Sequence, residues 1–451
     1  MTTLWTHQQQ AADFATYKPG TLLAMEMGTG KTLTALHLLD LWQAKRVLIL
    51  CPKSVCRVWQ REFYKHTHGW EVVNLDSGRL TARTELLQAY YPMNLDRLAV
   101  ILNYEVLNDA PTAAALKRPW DCIIFDECHR LKSAAGVQSR RASQLMHHAT
   151  RRLGLTGTPM PHSPLDVYAQ CRCLDKRIFG ASNAAFKARY AVKGGYMGHQ
   201  IVAYQHLDEL HDKLYTITYR CRAADVLDLP GADDSYRYCD LGPAEAKAYQ
   251  SMEQELVAEI AGGLVTASNA LVKLLRLQQI TSGYLPLEGD AQEIGTAKQG
   301  LLAEVLEDLS PAEVGEAREP VVVFCRYTHD LAAVAAVCAA QGLRCGELSG
   351  QRNDLEAWQR GEADVLATQL QAGGLGVDMT RARYCVYYSN SYSLGDYLQT
   401  RARVHRPGQT RPVTYIHLLA RGTVDEVVLE ALGKRRDVVA AVIDKLGKEL
   451  A

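Results

Sequence analysis

The chain holds 451 residues, 47% of them hydrophobic and 22% charged, and its 50 Lys+Arg balance 50 Asp+Glu to a formal net charge of zero. These fractions exclude a disordered chain, and at roughly 100–200 residues per domain the length predicts two to four domains. The zero balance excludes a uniformly basic protein that coats nucleic acid, while a local basic groove stays open.

No apolar run approaches the roughly 18 residues that span a bilayer. The opening MTTLWTHQQQ has neither the basic nor the apolar region of a secretory leader, so the expectation is a cytoplasmic protein without a membrane role. The twelve Cys then read as reduced thiols filling small apolar sites, because their spacings form no paired CxxC set of zinc type.

In chain order, TLLAMEMGTGKTLTALHLL (21–39) reads as a strand, a glycine turn and a helix. Gly28, Thr29, Gly30, Lys31 and Thr32 form the end of a phosphate loop, although Met25 stands where the full GxxxxGK[ST] pattern has its first glycine. The glycines let backbone N–H groups wrap a phosphate at a helix N-terminus. Lys31 can reach the β- and γ-phosphates of ATP, and the Thr32 hydroxyl can ligate Mg²⁺.

RVLILC (46–51), RLAVIL (97–102), WDCIIFDE (120–127) and RRLGLT (151–156) are short and apolar, as strands buried on both faces of a parallel sheet are. The segments between them are long enough for crossover helices. The third strand ends in Asp126 and Glu127. A phosphate-loop ATPase needs a strand-end carboxylate to hold Mg²⁺, here Asp126, and a group to position or deprotonate the attacking water, here Glu127. His129 is a further candidate beside them.

From about 162 to 295 strand-like runs are few, and PAEAKAYQSMEQELVAEIAGGL and NALVKLLRLQQI have helical spacing. Residues 206–260 carry 12 Asp/Glu against 5 Lys/Arg, the look of an acidic helical insertion. Strand–helix alternation returns with PVVVFCR (320–326), LRCGELSG (343–350), DVLATQ (364–369), RYCVYYSN (383–390) and VTYIHLL (413–419). The chain closes on a helix with Thr423 and Glu426 as a capping box and an apolar stripe of Val424, Val427, Val428, Leu432, Val439, Val442, Ile443 and Leu446. The expected division is a first α/β lobe at 1–160, helical insertions and linker at 161–295, a second lobe at 296–420 and a brace helix at 421–451.

Charge is segregated. Residues 130–152 hold Arg130, Lys132, Arg140, Arg141, Arg151 and Arg152 with no acid, and 399–411 holds four arginines with none. These are candidate phosphate contacts, so the neutral total is a cancellation compatible with nucleic-acid tracking that weakens with salt.

GTGKT, DECH (126–129), TGTP (156–159) and QTRARVHRPGQ (399–409) together resemble the superfamily 2 helicases, and their surroundings resemble the Snf2 branch. LCPKSVCRVWQREF (50–63), NYE (103–105), LKSAAGVQSRRA (131–142), RCRAADVLDLP (220–230), LRLQQITSGY (275–284), AGGLGVDMT (372–380) and GTVDEVVLEALGKRRDVV (422–439) are similar to that branch's segments. The resemblance covers nearly the whole chain and is most specific at Arg403, His405, Arg406, Gly408 and Gln409. Departures are Met25 for Asp, Cys128 for a small residue and Asp378 for Asn.

The resemblance implies an α/β fold of two RecA-like parallel-sheet lobes with helical insertions between them. It implies that Gln8 reads adenine, that Arg403 and Arg406 are finger arginines for the γ-phosphate, and that Gly374, Gly376 and Asp378 approach phosphates and ribose. It places Lys53, Ser54, Lys132, Ser133 and Gln138 of the first lobe against nucleic acid, with Arg326, Tyr327, Gly350 and Thr368 of the second. Trp59 is expected in the core rather than as a base-stacking wedge. The implied activity is ATP-dependent movement along double-stranded DNA by a compact monomeric motor of bacterial or phage type. A strand-separating DNA or RNA helicase is an alternative, although no hairpin wedge with an aromatic tip is visible in the sequence. An ATP-switched nucleic-acid sensor or scaffold is another, against which the intact Lys31, Glu127, Arg403 and Arg406 weigh.

Overall fold

The computed structural model describes residues 2–76, 80–93, 95–160, 163–194, 200–261, 267–287, 290–310, 318–371 and 377–434. The chain forms two compact units that divide between Asp228 and Leu229. Among the described residues no helix is long and apolar enough to cross a membrane.

The first unit contains β1 (Gly20–Met25), β2 (Arg46–Cys51), β3 (Glu71–Asn74), β4 (Leu98–Asn103), β5 (Trp120–Asp126), β6 (Ala149–Thr156), β7 (Ala191–Gly194), β8 (Gln200–Tyr204) and β9 (Thr218–Cys221). Seven of these form one sheet in the order β3-β4-β2-β5-β6-β1-β9, with every pairing parallel. Side chains alternate between its faces. Val47, Ile49 and Cys51 join one core with Leu36, Leu39, Trp59 and Phe63. Leu48 and Leu50 join the other with Leu131, Leu145, Tyr168 and Leu174. Burial on both faces is why these strands are apolar throughout. Because the strands are parallel, the loop after β1, the Asp126 end of β5 and the Thr156 end of β6 open on one edge, where ligands bind in such sheets.

The second unit contains β10 (Ala232–Cys239), β11 (Tyr284–Leu287), β12 (Asp290–Glu293), β13 (Val321–Cys325), β14 (Cys345–Leu348), β15 (Val365–Gln369), β16 (Tyr384–Tyr387) and β17 (Val413–Ala420). Its sheet runs β10-β17-β16-β13-β15-β14, again wholly parallel. β11 and β12 form a separate antiparallel ribbon. Val322 and Phe324 face a core that includes Leu277, Ile280, Trp358 and Val428, while Val321 and Val323 face Leu302, Leu306 and Val334.

Four findings differ from the sequence expectations. First, 161–295 is not one helical block. Helices Val167–Leu174 and Leu207–Tyr215 and strand β9 belong to the first unit, whereas β10 and helices Pro243–Ala261 and Ala267–Thr281 belong to the second. β9 has four residues, and β10 is an edge strand whose ADDSYRYC is mostly solvated. Neither needs a continuous apolar run, and charge along an edge strand discourages stray pairing. Second, β7 and β8 form an antiparallel hairpin, with Val192, Ile201, Val202 and Tyr204 exposed; its connecting residues 195–199 lie outside the described ones.

Third, Thr423 caps the last described helix, Val424–Gly433, by accepting from Asp425 N–H at 3.3 Å. Glu426 lies 3.4 Å from Gly422 N–H, so the reciprocal capping box is displaced by one residue on each side. Val424, Val427, Val428 and Leu432 are buried as expected, and Val439, Val442, Ile443 and Leu446 lie outside the described residues. Fourth, the basic run 130–152 does not form one patch. Arg152 stands opposite Gly20 at the start of β6 and β1, the far edge of the sheet from the phosphate loop, and donates to Leu174 O at 2.8 Å. Arg151 donates to Lys18 O at 3.0 Å, and Arg141 to Leu107 O at 2.7 Å. Proximity in sequence disguised three structural arginines as part of a binding surface.

Candidate ATP site and nucleic-acid-facing residues

The loop between β1 and helix Lys31–Leu41 bends at Gly28 (φ 82°) and Gly30 (φ 84°), left-handed conformations that glycine adopts without a Cβ penalty. Thr29 Oγ1 donates to Glu26 O at 2.7 Å and closes the turn. Beneath it, Gln8 Nε2 donates to Thr29 O at 3.1 Å, and His7 Nε2 lies 2.9 Å from the same oxygen. Gln8 Oε1 accepts Trp5 N–H at 3.0 Å. The structure therefore places the Gln8 amide as a clamp on the phosphate loop, a contact not foreseen from sequence. A Cβ on Gly30 would sit 2.1 Å from Gln8 Nε2. Glu26 Oε2 accepts Ala223 N–H at 3.0 Å, which ties the segment after β9 to the same loop.

Lys31 Nζ donates to Met25 O at 2.9 Å and Glu26 O at 3.3 Å. Its charge also favours the ionised forms of Asp126 and Glu127. Thr32 follows it in the first helical turn.

Asp126 is 6% exposed. Its Oδ2 accepts Trp59 Nε1–H at 2.8 Å, its Oδ1 accepts Glu127 N–H at 3.0 Å, and its carbonyl accepts Tyr104 O–H at 2.8 Å. Burial first, and then the Glu127 charge, push the Asp126 carboxyl up to about 6. Glu127 is 2% exposed and left-handed at φ 49°, a conformation costing on the order of 1–3 kcal/mol that persists where the surroundings impose it. Burial raises its carboxyl, but His129, Lys31 and Arg130 outweigh burial and hold it below the usual range. His129 Nδ1 lies 3.0 Å from both Glu127 Oε2 and Thr156 Oγ1. Thr156 Oγ1 also accepts Thr158 N–H at 3.1 Å. The ends of β5 and β6 are thus joined through His129. The two carboxylates have environments that push them apart: burial and the Glu127 charge raise Asp126, while His129, Lys31 and Arg130 lower Glu127, as suits a base.

In the second unit, Arg403 is 6% exposed, and burial lowers its guanidinium to about 10. It donates to Leu370 O at 3.3 Å, and Arg406 donates to Val377 O at 3.2 Å. Both arginines therefore rest on the segment leading to Asp378. Asp378 Oδ1 caps a local turn by accepting Thr380 N–H at 2.9 Å and Thr380 O–H at 2.7 Å. Gly374 and Gly376 lie outside the described residues. Gln409, 6% exposed, donates to Thr380 O at 3.1 Å and Ala382 O at 2.8 Å. The charge of 399–411 is largely committed: Arg401 pairs with Asp234, and Arg411 pairs with Glu319 at 2.8 Å.

Of the residues expected to face nucleic acid, Lys53 is exposed in the turn Lys53–Val55, which also contains Ser54. Lys132 is half-buried and Ser133 exposed in the segment after β5, and Gln138 opens helix Val137–Leu145 half-buried. Arg326 is half-buried, stacks 4.4 Å from the Tyr392 ring and donates to Asn390 O at 3.2 Å. Tyr327 O–H donates to Leu275 O at 3.2 Å. Gly350 is exposed. Thr368 is fully buried, which corrects its expected nucleic-acid contact: it is an interior position of β15, flanked by β13 and β14. Trp59 is fully buried, as expected, and also serves Asp126.

A phosphate loop after β1, a carboxylate pair at the end of β5 and a second parallel-sheet unit carrying Arg403 and Arg406 define a two-unit nucleoside triphosphatase of the phosphate-loop class. Residues 4–283 match the SNF2-related domain, and residues 301–408 match the helicase conserved C-terminal domain. Protein p41 of Acyrthosiphon pisum secondary endosymbiont phage 1 is 26% identical over 453 residues, covering 94% of each chain. YwqA of Bacillus subtilis, named as an ATP-dependent helicase/translocase, is 26% identical over 430 residues, covering 91% of this chain and 45% of that one. The CHD3-type chromatin-remodeling factor PICKLE of Arabidopsis thaliana is 24% identical over 471 residues, covering 94% of this chain and 33% of that one. The chain thus spans nearly all of the phage protein and less than half of the other two. The solved SWI2/SNF2 ATPase core of Sulfolobus solfataricus in complex with double-stranded DNA aligns at a TM-score of 0.46 and 21% identity, over 100% of this chain and 95% of that one. The chain belongs to the SNF2-related family and is an ATPase of the helicase type built on two parallel-sheet units.

Proposed function

We propose that this protein is an ATP-dependent translocase on double-stranded DNA, acting as a monomer in the cytoplasm of a bacterial cell or phage-infected host. The observation that carries the proposal is the strand-end cluster of Lys31, Asp126, Glu127, His129 and Thr156, which combines phosphate binding with a held base. The donor set fits Mg²⁺: a strand-end carboxylate raised by burial and by the neighbouring Glu127 charge, with the Thr32 hydroxyl in the helix that follows the loop. When bound, Mg²⁺ neutralises charge on the phosphates that Asp126 and Thr32 would hold it against.

The residues then divide the work. Lys31 leaves the Met25 and Glu26 carbonyls for the terminal phosphates. Glu127, kept anionic by His129, orients and deprotonates water. Arg403 and Arg406 stabilise charge on the transferring phosphoryl group, a contribution of about 10³–10⁵ in rate for such arginines. Closure of the lobes on ATP and reopening after hydrolysis move the protein along DNA held by Lys53, Ser54, Lys132, Ser133, Gln138 and Arg326.

ATPase rates with duplex DNA, single-stranded DNA and RNA test the substrate: duplex stimulates most, and stimulation by RNA alone sinks the proposal. A second reading, strand separation, is favoured by the β7–β8 hairpin, whose exposed Ile201, Val202 and Tyr204 suit an apolar wedge. Triplex displacement without fork unwinding supports translocation; fork unwinding that is lost on Val202→Ser supports the second reading.

A further inference from the structure

We propose that Trp59 is a positioning residue that couples nucleic-acid engagement at the Lys53–Val55 turn to the carboxylate of Asp126. The inference rests on the proposed function, which places Lys53 and Ser54 on nucleic acid. The turn Lys53–Val55 runs directly into helix Cys56–His66, with Cys56 N–H donating to Lys53 O. Trp59 stands on the first turn of that helix and is fully buried among Val55, Cys56 and Phe63. Its indole is wedged 6.2 Å from the Phe63 ring, and Cys56 Sγ packs 3.5 Å from Cys51 Sγ at the end of β2. A displacement of the turn therefore moves a stiff helix rather than a loose side chain.

The indole N–H reaches Asp126 Oδ2 at 2.8 Å. Indole has one donor and no acceptor, so this contact has a single direction. The second oxygen of Asp126 is held by Glu127 N–H, and its carbonyl is held by Tyr104 O–H. Trp59 is thus the contact on Asp126 that arrives from the helix continuing the Lys53–Val55 turn. It orients the lone pairs that the carboxylate offers to a cation, and a shift of the turn changes that orientation. Such partners of a metal-holding carboxylate set affinity and activity by about 10–100-fold.

Trp59→Phe keeps a ring and removes the donor. In the full chain the Mg²⁺ concentration needed for half-maximal ADP binding rises about 10–100-fold, and stimulation of ATP hydrolysis by duplex DNA falls by a similar factor. The wild-type protein supplies a signature independent of turnover. Its Trp59 indole ¹⁵N–¹H resonance, identified by its absence in Trp59→Phe, shifts on adding Mg²⁺–ADP and again on adding duplex DNA. In Lys53→Ala at saturating duplex, the first shift persists and the second is lost. If wild-type ATPase responds to DNA while the Trp59 resonance stays silent to DNA, or if Trp59→Phe is stimulated as wild type is, the coupling is overturned and the translocase reading stands. If no nucleic acid stimulates wild-type hydrolysis, the functional reading fails and the coupling fails with it.

Discussion

At the scale of single residues, two adjacent buried carboxylates are shifted in opposite directions, Asp126 up and Glu127 down. Glu127 is left-handed and buried, and the cations around it keep it ionised. Glu127→Gln retains shape and a hydrogen-bonding side chain but has no basic lone pair. Nucleotide binding should persist while turnover falls about 10²–10⁴-fold; hydrolysis at the wild-type rate would remove Glu127 from its role. Gly30 shows a different constraint. Alanine there meets both a positive φ, costing about 1–2 kcal/mol, and the clamped Gln8 amide 2.1 Å away. Gly30→Ala should destabilise the first unit by about 1–2 kcal/mol, read as a lowered urea midpoint. Adding Gln8→Ala should recover part of that loss, because it removes the clash and leaves the strained φ.

At the scale of elements, buried polar contacts bind the last described helix to helices Ala267–Thr281 and Ala297–Asp308 and to the end of β17. Lys298 Nζ lies 2.7 Å from Asp425 Oδ2, with both side chains under 5% exposed, and Asp425 also accepts from Thr281 O–H at 3.1 Å and Ala420 N–H at 3.2 Å. Removing one partner of such a pair leaves a buried charge. Lys298→Met should cost about 3–5 kcal/mol, read as a lowered urea midpoint for the second unit. Lys298→Met with Asp425→Leu should recover most of it if charge burial is the cause.

The β10–β17 edge carries a pH-dependent contact. Burial raises the Asp234 carboxyl, but His417 and Arg401 outweigh burial and hold it at about 2. A carboxylate depressed in the folded state stabilises fully above its unfolded value of about 4 and loses that contribution as pH falls through about 2. After discounting for partial exposure this is about 1 kcal/mol. The urea midpoint gap between wild type and Asp234→Asn should therefore close between pH 5 and pH 2; a gap independent of pH would refute the assignment.

At the scale of the molecule, the neutral total conceals a division of labour among cations. Lys53 and Lys132 stand on segments that follow strand ends at the ligand edge of the first sheet, whereas Arg152 braces the opposite edge. Duplex DNA binding should weaken steeply with salt, and Lys132→Ala should lower the log–log salt slope by about one. Arg152→Ala should leave that slope unchanged and reduce thermal stability. An equal slope change in both would restore the basic run as a single surface.

The pattern of residues alone determined the two parallel-sheet units and marked the residues that the fold gathers at the candidate ATP site. Strands buried on both faces must be continuously apolar, and a phosphate loop needs its Gly-Lys-Thr in consecutive positions. Those requirements are local, so Gly28 to Thr32 and Asp126–Glu127 were legible in one dimension, as was the buried half of the Val424–Leu432 stripe. The tertiary structure decided what depends on distant partners. The edge strands β9 and β10 have no apolar run of their own and exist because a neighbouring strand accepts them. Thr368 looked available until the sheet enclosed it. Arg151 and Arg152 looked like part of a groove until the strand direction carried them to the far edge. Trp59 read as core, and core it is, but its hydrogen bond to Asp126 spans 67 positions in sequence. Hydrogen bonds and ion pairs act over about 3 Å, and only the folded chain brings groups that far apart in sequence within that range.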